Sequence, residues 1–177
     1  IGSRQSKIEN RVSHLPPFGE MTHHLEMRWR ILLASAVLTA LAWAGIVEDV
    51  RIALMRNNFP AAESELNSYR SQLGVTPEYL EAHSWLGRAA LNQGQYERAA
   101  AYAKETRAMA LEQLKQRPLD AEPHLPAALG AALEVESQAL AAKGERTQAV
   151  ALLEAALRTY GNTSIHDRLQ KNLNLLL

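Results

Sequence analysis

Between Leu86 and Ala99 the chain reads Leu-Gly-Arg-Ala-Ala-Leu-Asn-Gln-Gly-Gln-Tyr-Glu-Arg-Ala, and this stretch restricts the fold more than any other. Gly94 separates two helix-forming runs, and a glycine turns the chain through positive φ at little steric cost. Gly87 on the first run and Ala99 on the second present small faces, so the two helices can lie close together. Tyr96 opens the second run, where its ring fills the wedge between them. The expectation is helix, tight turn, helix, packed as an antiparallel pair.

Composition extends that expectation to the rest of the chain. Ala and Leu are abundant while Val, Ile and Thr are few, which favours helices because small or unbranched side chains lose little rotamer freedom there. With 177 residues, 47% hydrophobic and 21% charged, the chain is long enough and apolar enough to build a core. The fold class expected is all-α. A formal net charge of zero gives no global attraction to nucleic acid or anionic lipid. The absence of Cys excludes disulfides, thiolate zinc sites, cysteine nucleophiles and a lipid-modified cysteine anchor.

Residues 27–44 carry a different signal. Met27-Arg28-Trp29-Arg30 is a basic start, residues 31–44 are uncharged and apolar, and Ala42-Trp43-Ala44 ends the run as Ala-x-Ala, the layout of a secretory signal peptide. Extended through Val47, the uncharged run reaches about the minimum length of a bilayer-spanning helix. A cleaved signal, an uncleaved anchor and a buried helix therefore all fit, in that order of preference. The first places the remainder outside the cytoplasm, periplasmic or secreted; the second makes it membrane-anchored. Residues 1–26, with Pro16-Pro17 and no sustained helical period, read as a disordered extension or upstream segment outside the fold.

Past residue 44, turn signals divide the chain into helices over about 47–56, 60–73, 77–92, 96–116, 127–143 and 145–159. Thr76 caps the third of these, with Pro77 at its first position. Pro118, Pro123 and Pro126 bracket a loop that is not helical through its middle. Ser164 and Asp167 have the spacing of a capping box for a final helix. Ile165, Leu169, Leu173 and Leu176 form a stripe on it that covers the last pair.

The turns align. Asn57, Gly94 and Gly144 occupy one position, Phe59, Tyr96 and Arg146 the next, and Ala62, Ala99 and Ala149 the third. On Leu86, Gly87, Gly94, Tyr96 and Ala99 the middle unit resembles a tetratricopeptide repeat, and the likeness extends more weakly over residues 47–160. The unit departs from that family at His83, Ala90 and Leu111, and the repeat spacing is uneven. The resemblance implies a short, irregular solenoid of about three helical hairpins over residues 45–160, with residues 161–177 as a capping helix or the start of a linker. It also implies a groove lined by the first helix of each hairpin. Carried onto this sequence, that groove is faced by Arg51, Ser84, Arg88, Asn92 and Gln138, and the two arginines could hold a carboxylate or acidic peptide. The plain alternative is that they are solvated helix surface.

The function expected is therefore non-catalytic binding of a protein or peptide, with no nucleic acid, no cofactor and no metal, and with membrane contact only if residues 31–47 remain as an anchor. His23-His24 and the scattered His14, His83, His124 and His166 lack the i, i+4 pair and third ligand of a zinc site. Glu134 and Glu136 are two apart on a helix and face different ways, so they make no acid–base pair. No catalytic elbow or phosphate loop is present. A different class of function also fits. The chain resembles the N-terminal helical region of envelope thiol-disulfide reductases, whose Cys-x-x-Cys pair would lie beyond residue 177. A membrane-anchored assembly factor is a third reading.

Overall fold

A computed structural model describes residues 45–177. The signal-peptide, anchor and extension readings for residues 1–44 lie outside the described residues. Those described form seven α-helices and no strand, so the chain is all-α. The helices are α1 (Ile46–Met55), α2 (Phe59–Leu73), α3 (Pro77–Asn92), α4 (Tyr96–Leu114), α5 (His124–Ala142), α6 (Arg146–Tyr160) and α7 (His166–Leu176), with a 3-10 turn (Leu119–Ala121) before α5.

Local chemistry explains most of these boundaries. Asn58 caps α2 by accepting a hydrogen bond from the Ala61 amide at 3.1 Å, and Pro60 sits in the first turn, where no amide donor is needed. Thr76 does the same for α3, accepting from the Tyr79 amide at 3.2 Å. Asn57, Gly94 and Gly144 turn the three hairpins at φ of 58°, 71° and 85°, all in the left-handed region. Three residues past Phe59, Tyr96 and Arg146, at the fourth position of each helix, come Ala62, Ala99 and Ala149, and all three alanines are completely buried. A larger side chain at any of them would push a helix pair apart, at a cost of about 1–3 kcal/mol.

Two sequence expectations need correction. The helix expected from residue 127 starts at His124, so Pro126 lies inside its first turn, where the missing N–H costs no intrahelical bond. The carboxylate of Glu122 permits that early start: its oxygens accept from the amides of His124 at 2.8 Å and Leu125 at 2.6 Å. The proposed capping box at Ser164 does not form. Its amide instead donates to the Asp120 carboxylate at 3.2 Å, and its hydroxyl to the same group, which ties the start of α7 to the 3-10 turn. A full charge on Asp120 makes it the better acceptor for both donors.

Packing follows a simple order. Helices α1, α3, α5 and α7 pack successively on one another, and α2, α4 and α6 each pack on the odd-numbered helices before and after them. At the centre lies α5, with thirteen of its nineteen residues buried, among them Leu125, Leu129, Leu133 and Val135. A helix apolar on nearly all sides must be covered on all sides, and α3, α4, α6 and α7 do so. At Gly87 α3 lies close to its neighbours: a Cβ there would stand at ordinary contact distance, 3.4 Å from Val135 and 3.5 Å from the Ala99 carbonyl, so the approach does not itself demand a glycine. Ile165, which precedes α7, and Leu169 and Leu173 on it are buried, and Leu176 packs at the margin.

Candidate functional site

The row of odd-numbered helices carries two adjoining cavities. The first, of about 250 Å³, lies between α1 and α3 and is walled by Leu54, Met55, Trp85 and Ala89, with Arg51, Arg88, Asn92 and Gln93 completing it. Trp85 is its organising side chain. The Arg51 guanidinium lies over the indole ring at 4.8 Å from its centroid, and that of Arg88 at 5.6 Å. Each such contact stabilises by about 0.5–2 kcal/mol, more as water is excluded. Together they put two cations and an aromatic surface around one apolar hollow, and the lining contributes no carboxylate.

Trp85 and Arg88 also wall the second cavity, of about 240 Å³, where they are joined by Glu81, Ser84, Glu134 and Arg168. Its centre is the Glu134 carboxylate on α5, only 16% exposed. Arg88 reaches it from α3 at 3.2 Å, and Arg168 from α7 at 2.6 Å. Burial by itself would raise the Glu134 carboxyl, but hydrogen bonds and ion pairs from Arg88 and Arg168 outweigh it and hold the group below the usual carboxylate range. Glu81, at the other wall, pairs with His124 at 2.7 Å.

A third cluster lies inside the protein. His83 is 5% exposed, and its Nδ1 stands 2.8 Å from the Thr106 hydroxyl, which itself donates to the Tyr102 carbonyl at 2.9 Å. On its other side the ring presents Nε2 to the Glu105 carboxylate at 3.6 Å. Tyr79 and Tyr102 enclose the ring, each with its centroid 5.8 Å away. Burial lowers the His83 pKa, against a smaller upward pull from Glu105. The cluster packs the α3–α4 pair and opens onto neither cavity.

Of the five residues expected to face a groove, Arg51, Arg88 and Asn92 share the first cavity, and Ser84 and Arg88 share the second. Arg51 is 42% exposed and donates to Glu48 at 3.0 Å. The side-chain amide of Asn92 is exposed and bonds to no other described residue. Ser84 is buried, and its hydroxyl donates to the Glu81 carbonyl of its own helix at 2.7 Å, so it contributes shape and not a free donor. Gln138 stands one step further along, donating to Asn172 at 2.8 Å beside Glu134. Glu134 and Glu136 do point apart, the latter buried against Arg107 at 2.9 Å.

Sequence reasoning missed Trp85, Glu134 and Arg168 as parts of this face. Trp85 had a signal: it stands three residues before Arg88, one turn away on the same side of the helix. Glu134 had none, because its two partners lie 46 and 34 residues distant.

The lining offers cations, amides, an indole and aliphatic surface, which suits recognition of an anionic, partly apolar group. Among the described residues, no group of three or more His, Asp or Glu is placed to hold a metal ion. No family model, curated protein or solved structure matches the chain.

Proposed function

We propose that the protein is an exported, non-catalytic interaction module that binds a protein or peptide segment along the face of α1, α3 and α5. The observation that carries this reading is the convergence of Arg51, Arg88 and Asn92 on one cavity and its continuation, through the shared wall of Trp85 and Arg88, into a second. Export is read from residues 27–44 alone. Among the described residues no helix is long and apolar enough to cross a membrane. The repeated left-handed turns at Asn57, Gly94 and Gly144, and the buried alanines that follow them, support a tetratricopeptide-like arrangement in which the first helices of successive hairpins form the binding face.

Site-specific photocrosslinking in the cells that make the protein tests the reading. A crosslinker at exposed Asn92 should capture one protein reproducibly, while the same group at exposed Gln72 on α2 should not. Charge reversal at Arg51 and Arg88 together should abolish the adduct. Equal capture from both positions, or capture indifferent to charge reversal, refutes the assignment of the face.

A further inference from the structure

We propose that the cavity between α1 and α3 receives an aliphatic side chain of an acidic peptide segment, and that Arg51 and Asn92 hold the carboxylate of the neighbouring residue. The inference rests on the reading of this face as a binding surface and specifies its ligand.

Three observations lead to it. The first is size. At about 250 Å³ the cavity is smaller than the roughly 300–1,000 Å³ clefts that hold whole small molecules, and it suits one side chain. The second is charge. Its lining contains two arginines and no acid, and the partners of those arginines, Glu48 and Glu134, stand outside it. Arg88 is spoken for on the far side by Glu134, while Arg51 uses a single N–H toward Glu48 and Asn92 uses none toward any described residue. Among the described residues, the lining groups left to meet a new anion are therefore Arg51 and Asn92. The third is apolar surface: Leu54, Ala89 and the Trp85 ring form the hollow, and Met55 at its edge is 82% exposed. An occupant that is only charged would leave this surface wet, and one that is only apolar would leave the remaining Arg51 N–H groups and the Asn92 amide unused.

The two cavities share a wall, so a bound chain can pass from the first into the second, where Arg168 and Glu134 supply the next polar contacts. This favours an internal acidic side chain over a terminal carboxylate as the anion. Glu134 acts here as a positioning residue, holding the Arg88 guanidinium against Trp85.

The test is a two-dimensional NMR titration of the 177-residue chain with three blocked hexapeptides, alternating Leu and Glu, Leu and Gln, or Ser and Glu. The spectrum of the Trp85→Phe variant assigns the indole signal. The Leu–Glu peptide should move the Trp85 indole and Asn92 side-chain amide signals, and both counterparts should bind about tenfold more weakly. Arg51→Gln, at an exposed position, should remove the preference for Glu over Gln. Equal affinity for the Gln peptide overturns the role of charge, and equal affinity for the Ser peptide overturns occupation of the cavity. Shifts at Ser84 and Gln138 without any at Trp85 overturn this inference and leave the binding face standing. Silence along α1, α3 and α5 overturns the inference as well, and crosslinking from Asn92 then decides the face independently.

Discussion

Single residues set the geometry that the helices inherit. Gly94 turns the middle hairpin at φ 71°, a region where a Cβ crowds the backbone. Gly94→Ala should lower stability by about 1–2 kcal/mol in urea denaturation, although nothing near the position would clash. His83 gives a second prediction at this scale. Buried among Tyr79, Tyr102 and Thr106, and with Glu105, Arg70 and Glu63 as the charges acting on it, it resists protonation in the folded protein. The unfolded chain takes up that proton near the ordinary value of 6.5 and so binds more protons as pH falls. Stability from this group is complete above about pH 6.5 and is lost as pH falls toward the lower folded value. Urea midpoints at about pH 7.5 and about pH 5.5 should therefore differ less for His83→Gln than for the native chain. An identical drop in both would show that other groups carry the pH dependence.

At the scale of the helix, side-chain caps decide where elements start. Thr76→Ala should cost about 1 kcal/mol, and Glu122→Ala a similar amount with fraying confined to the first turn of α5, which amide hydrogen exchange at His124 and Leu125 would reveal. The contrast between these caps explains what was legible in the sequence. Thr76-Pro77 is a local signal, and α3 begins where it indicates. Gly94 and Gly144 are local too, and the hairpins turn there. Glu122 is not a usual capping residue and sits among prolines that read as loop, so the sequence pattern indicates a start for α5 three residues later than His124. Ser164 failed for a different reason: its partner Asp120 is 44 residues away, and no local pattern encodes a contact of that range. The candidate site divides the same way. Arg51, Arg88 and Asn92 follow from the groove that the resemblance to a tetratricopeptide repeat implies, carried over on the alignment of turns, whereas Glu134 and Arg168 join them only through packing of α3, α5 and α7.

For the molecule as a whole, Glu134 is the link between its binding face and its stability. One carboxylate joins α3 and α7 across α5, and its loss leaves two guanidinium groups facing each other without a counter-charge. Glu134→Gln should cost about 1.5–3 kcal/mol, with faster amide exchange along α7 than along α2. The central claim is that the face built on Trp85, Arg51 and Arg88 binds a protein segment, and the most direct test is the affinity for the partner that crosslinks at Asn92. Calorimetric titration of that partner should give a dissociation constant raised at least about a hundredfold in the Arg51→Glu, Arg88→Glu double variant, at unchanged helical content. An unchanged dissociation constant in a folded double variant would contradict the account.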